Sequence, residues 1–272
     1  MRLPKEKIHQ LVYETMEEIN EKLGTDFSKE KLEIEFFTPS EGILAYEKIC
    51  RNFPKYLEEK YQGEGYFETF AAMAFLGEDK DGILIREGID ADERDWHHII
   101  LHEFSHIIVG HDELDGENFF DKYCRGYAAD ITEDGWINAG YAIWREFSAE
   151  MFALDLDDSV YPYSINDEKN RIKKLLSRIR VGDVCAKESL QKILNILFKS
   201  DEYYYSKNED EFIEKIKRSK ASAVLLFEPV IRMVFAHLLQ ERAWKINIEF
   251  ITSLGYQYIL CLANREVKEM FS

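Results

Sequence analysis

The stretch "LHEFSHIIVG", residues 101–110, places His102 and His106 four apart, with Glu103 directly after the first. On an α-helix, residues i and i+4 share a face, with Cβ atoms about 5–6 Å apart. At that spacing two imidazoles can converge on one zinc ion, at about 2.0–2.1 Å from each nitrogen. Glu103 then faces the open side of the ion, where it can take a proton from zinc-bound water and pass it to a leaving amine. His102 and His106 are therefore candidate zinc ligands and Glu103 the candidate catalytic base. With 7 histidines in 272 residues, chance yields this pattern in a few per cent of such chains at most.

The flanking residues read as the helix this chemistry needs. "DADERDW" (90–96) offers an N-cap aspartate at 90 or 92 and acids in the first turn, which suits the helix dipole. Trp96, Ile99, Ile100, Phe104, Ile107 and Ile108 follow at helical spacing, and Gly110 reads as a stop. The helix is expected over roughly 93–109. His98, four before His102, reads as a packed histidine one turn above the site, and His97 points elsewhere on the helix.

A catalytic zinc takes three protein ligands and keeps a fourth place for water. The metzincin pattern would put a glycine three residues after His106 and a histidine six after it. Val109 and Asp112 stand there, so that route fails. His111 lies off that spacing and reads as a solvated turn residue. The gluzincin solution is a glutamate on a later helix, with an acidic residue four further on that orients a ligand histidine. "WREFSAEMFALDL" (144–156) supplies Glu146 and Glu150 on one face of a helix expected over 139–156. Glu146 is read as the third ligand and Glu150 as its supporting carboxylate. The swapped assignment, with Glu150 as ligand, satisfies the same spacing.

Here the chain resembles a known family. The run Glu146-Phe147-Ser148-Ala149-Glu150-Met151-Phe152-Ala153 is similar to the "ExxA(D/N/E)xFA" signature of the ImmA/IrrE-like gluzincins, zinc metallopeptidases, over about residues 66–156. The last acidic position is Glu150, where that family usually has Asp or Asn. The resemblance implies a zincin-like core and peptide hydrolysis. Zincins also place an edge strand above the metal, against which substrate backbone pairs; "AAMAFLG" (71–77) or "GILIREG" (82–88) fills that position. Tyr127, Tyr141, His111 and His237 are the candidate donors to an oxyanion, with none singled out.

Composition bounds the rest. Hydrophobic residues make up 46% and aromatics 14%, enough for a sizeable core. A net charge of -17 without a basic stripe argues against nucleic-acid binding, which needs Lys and Arg to displace counterions. Cys50, Cys124, Cys185 and Cys261 lie far apart with no CxxC, and read as reduced thiols. "MRLPKEKIHQ" lacks the apolar core of a signal peptide, and no run of 18 apolar residues exists. The expectation is a cytoplasmic protein without a membrane span.

The coarse pattern is α+β. A helix is expected over 4–24, a strand over 32–37, a helix over 42–61, strand-like runs at 66–77 and 82–88 joined through Asp81-Gly82, then the motif helix. Residues 111–138 read as an irregular connection. Helices follow near 166–180, 186–199, 209–219, 221–240 and 246–270. This gives a zincin-like core over 1–160, a small mixed sheet packed on the HExxH helix, and a helical C-terminal subdomain over 161–272, with the boundary in "DDSVYPYSI" (157–165). The function expected is zinc-dependent hydrolysis of a peptide or protein substrate. The alternative is a regulatory protein that keeps the fold and the zinc site but acts on one partner or on none.

Overall fold

Three short strands build the sheet. In a computed structural model of the chain, β1 (Leu32–Phe37), β2 (Ala72–Phe75) and β3 (Asp81–Arg86) form a sheet of order β1-β3-β2 among the described residues. The structure describes residues 2–54, 56, 65–111, 123, 131–157, 162–180, 186–240 and 247–270, with Ile131 and the last five of these by backbone alone. β3 pairs parallel with β1, with Ile34 opposite Ile83, and antiparallel with β2, with Ala74 opposite Ile83. The mixed α+β arrangement expected from the sequence is what is observed.

By its contacts the chain divides into two compact units. One is Met1–Asp112 with Phe152–Asp158, and the other is Glu113–Met151 with Ser159–Ser272. Residues 113–151, which precede the chain-order line at 160, thus group with the helical region after it.

The first unit is layered about β3, which is buried along nearly its whole length. Successive strand side chains point to opposite faces. Ile83 and Ile85 meet α1 (Lys5–Leu23) and α3 (Glu93–His111) through Ile8, Val12, Met16, Trp96, Ile100 and Phe104. Leu84 faces the other way, into Phe37, Tyr46, Ile49, Phe53, Phe67 and Phe75 around α2 (Gly42–Ile49). Each large apolar side chain fully buried here contributes about 1.5–3 kcal/mol relative to exposure, so α3 is fixed by packing on most of its circumference.

Several expected boundaries shift. The strand expected over 66–77 is only Ala72–Phe75. Tyr66–Glu68 is a 3-10 turn that brings Phe67 under Gly42, where an added Cβ would lie 2.2 Å from Phe67 Cγ. The helix expected over 42–61 ends at Ile49; most of 55–64 lies outside the described residues.

Gly110 does not stop α3, which runs on to His111. A Cβ at Gly110 would stand 1.8 Å from Leu76 Cδ2, so the glycine permits close approach to the end of β2. The start of α3 follows the sequence. Asp92 Oδ1 accepts from the Asp95 amide at 2.9 Å, and Asp95 Oδ2 accepts from the Asp92 amide at 3.1 Å. That reciprocal cap satisfies two backbone donors.

In the second unit α4 (Ile131–Leu156) begins eight residues earlier than expected. The remaining helices are α5 (Lys169–Leu176), α6 (Ala186–Phe198), the single turn α7 (Asp201–Tyr204), α8 (Glu209–Arg218), α9 (Glu228–Leu238) and α10 (Ile248–Met270). The helix expected over 221–240 is split. Ser222–Phe227 is 3-10, and α9 starts with Pro229 in its first turn, where a missing N–H costs nothing.

Trp144 and Phe147 on α4 pack edge-on against Phe250 and Phe198 respectively. Gly140 on α4 and Gly255 on α10 bring the two backbones together. A Cβ on Gly140 would lie 2.0 Å from the Ile251 carbonyl oxygen, and one on Gly255 would lie 1.8 Å from that of Trp136. Among the described residues, no helix is long and apolar enough to cross a membrane.

Candidate metal centre

From Ile100 to Ile108 α3 is buried except at His102 and His106, which are half-buried, as are His98 and Val109 to either side on the same face. Helical spacing lines up His98, His102 and His106 on one face. The Nε2 atoms of His102 and His106 lie 3.2 Å apart, with the rings edge to face. Two nitrogens that share a tetrahedral zinc at about 2.0–2.1 Å stand about 3.3 Å apart. The pair has the separation that a common ion requires, which is also that of a hydrogen bond between the two rings.

Glu146 completes the group. One ligand atom each from His102, His106 and Glu146 lie within 4.8 Å of one another, all three half-buried. Glu146 rides on α4, whose last turn belongs to the first unit: Ala153 and Leu156 are in the core around α1 and α3, with Phe152 packed against it. Two imidazole nitrogens and one carboxylate oxygen form a donor set suited to zinc, and three protein donors leave a fourth place for water. The residues present fit the ion. Arg145 approaches Glu146 Oε1 at 3.6 Å.

Compared with known proteins, the chain matches no family model, no curated protein and no solved structure.

Glu103, next to His102, is 7% exposed. A buried carboxylate is costly unless it has a polar partner. Glu150 forms an ion pair with Lys199, the two side chains 17% and 16% exposed. Tyr163 lies close enough that Glu150 adds to the rise of its phenol above the ordinary range, a rise caused first by burial and then by Glu168.

The other histidines of α3 are engaged as well. His97 Nε2 bonds Glu18 Oε2 at 2.8 Å, and His98 Nδ1 lies 3.3 Å from Asp157 Oδ2. His111, expected as a solvated turn residue, is the last residue of α3, and its Nε2 lies 2.7 Å from Asp81 Oδ1 at the start of β3. Sequence reasoning missed Asp157, Asp81 and Lys199, because only the fold brings these charges to their partners.

Of the candidate oxyanion donors, Tyr141 is buried, His237 is stacked on Phe250 at 3.7 Å, and Tyr127 lies outside the described residues. β2, containing most of "AAMAFLG", is an edge of the sheet among the described residues. "GILIREG" is not a candidate, because β3 is paired on both sides. Cys50 and Cys261 are buried free thiols, and burial raises the Cys261 pKa. Cys124 and Cys185 lie outside the described residues.

Proposed function

We propose that the chain is a zinc-dependent metallopeptidase of the gluzincin kind, with a zincin-like core similar to that of ImmA/IrrE-like proteins. His102, His106 and Glu146 hold the ion, and Glu103 is the base. The observation that carries the reading is the 3.2 Å separation of the two histidine nitrogens with the Glu146 carboxylate in the same group. Bound zinc supplies Lewis acidity that polarises a carbonyl and lowers the pKa of water. Glu103 takes the proton from the attacking water and returns it to the leaving amine nitrogen. It lies on α3 between the two histidines and is 7% exposed, which keeps it on the helix that would carry the ion. β2, an edge of the sheet among the described residues, is the strand against which an extended peptide would pair. The protein works in the cytoplasm on a peptide or protein substrate.

The test is Glu103→Gln. The amide keeps size and polarity but takes no proton. Zinc should stay bound while peptide hydrolysis falls by about 10²–10⁴-fold. Full activity in the variant would overturn the mechanism.

A further inference from the structure

The turn between β2 and β3 closes one side of a cleft that the metal group does not use. The cleft measures about 310 Å³, enough for a small organic molecule. Its floor is apolar. Phe27, Leu32, Phe104 and Ile108 line it, and the Phe27 and Phe104 rings lie 5.5 Å apart. Phe104 is two residues from His102 and two from His106, so it leaves α3 on the side away from them. All of these residues belong to the first unit.

The walls are fixed. Asn20 on α1 brackets Phe27: its Nδ2 donates to the Phe27 carbonyl at 2.8 Å, and its Oδ1 accepts from the Phe27 amide at 3.0 Å. The turn after β2 is tight as well, since a Cβ on Gly77 would lie 2.2 Å from the Lys80 carbonyl oxygen. Walls held in this way need little reordering when a ligand enters.

One buried polar group reaches this floor. Asp81 is 8% exposed. Its carboxylate has two oxygens, both acceptors. Oδ1 takes two donors, His111 Nε2 at 2.7 Å and the Gly77 amide at 3.4 Å. Oδ2 has no donor among the described residues, yet it is not sealed from solvent. A carboxylate oxygen so withdrawn is costly without a partner, and the cleft is an opening that Asp81 lines.

The surroundings narrow the chemistry of a ligand. A metal ion does not suit, because among the described residues no group able to hold one includes Asp81. The apolar floor calls for an organic body. Four carboxylates against two lysines line the cleft, so the donor that Oδ2 lacks is best supplied by a cation.

We propose that this cleft is a binding site for a small primary amine with an apolar body. The ammonium donates a charge-assisted hydrogen bond to Asp81 Oδ2, and the body lies against Phe27 and Phe104. His111 holds the carboxylate in place from its other oxygen. The site is separate from the metal group and does not depend on it.

The experiment is calorimetric titration of the full chain with phenethylamine, and with phenethyl alcohol as its uncharged counterpart. The amine should bind with a dissociation constant of about 1 mM or tighter, and about tenfold or more tighter than the alcohol. Asp81→Asn should weaken the amine by about tenfold or more and leave the alcohol unchanged. Ser28→Trp sets an indole on the cleft wall, from an extended, half-buried position, and should abolish binding of both. Should Asp81→Asn fail to fold, Ser28→Trp and the comparison of amine with alcohol carry the test. No binding of the amine by wild type, equal affinity for the alcohol, or full affinity in either folded variant would overturn the proposal. The tripeptide Phe-Gly-Gly separates two sources of the ammonium: tighter binding than phenethylamine assigns the site to a peptide N-terminus, and weaker binding to a free amine.

Discussion

Alanine at Gly140 should force two helices apart, while alanine at Gly135 on the same helix should strengthen it. A Cβ at Gly140 would lie 2.0 Å from the Ile251 carbonyl oxygen and 2.9 Å from its carbon. An ordinary C···O contact is about 3.3 Å, so α10 must retreat by about 1.3 Å. The obstacle is backbone, and no rotamer change removes it. Overpacking of this kind costs about 1–3 kcal/mol, and a rigid obstacle puts the case at the upper end. Alanine returns about 1 kcal/mol of helix propensity, leaving a net loss of about 2 kcal/mol. Gly135 has no atom within 4 Å of its Cβ position, so only the propensity gain of about 1 kcal/mol operates there. Urea denaturation followed by tryptophan fluorescence, with Trp136 and Trp144 both on α4, reads the two midpoints. They should move in opposite directions. A Gly140→Ala midpoint at or above wild type would refute the backbone crossing, and a Gly135→Ala midpoint below wild type would refute the early start of α4.

Other outcomes follow from single contacts. Lys199→Met leaves the half-buried Glu150 without its lysine and should destabilise the chain by about 1–3 kcal/mol; the double variant with Glu150→Gln should recover much of that in the same denaturation assay. Burial alone would raise the Glu18 pKa, but hydrogen bonds from Lys22 and His97 outweigh it and hold the value below the ordinary 4.5. A depressed folded pKa stabilises above the unfolded value and is lost as pH falls through the folded one. Wild type should therefore lose stability below about pH 4.5 more steeply than Glu18→Gln, and parallel profiles would remove Glu18 from the account.

The helix carrying the two histidines was legible because its cap, its apolar spacing and its motif agree. Glycine was the main source of error. Gly110 looks like punctuation in a sequence, yet it lies inside α3, where Leu76 comes too close for a Cβ. Gly135 and the acidic "TED" before it hid the first two turns of α4. Likewise the aromatic run from Tyr66 reads as strand by propensity, but Phe67 is needed beneath α2, and a 3-10 turn delivers it. At the site, spacing offered Glu146 and Glu150 equally. What distinguishes their surroundings is Lys199, forty-nine residues further on, which pairs with Glu150. Long-range charge pairs such as this one and His98 with Asp157 leave no periodic trace in the chain.

The central claim is a zinc site made of His102, His106 and Glu146. Its most direct test is the metal content of protein purified without chelator, for wild type and Glu146→Ala in parallel. About one zinc per chain, lost or clearly weakened in the variant, is the result the account predicts. No metal in wild type after zinc is added, or equal binding by the two proteins, would contradict it.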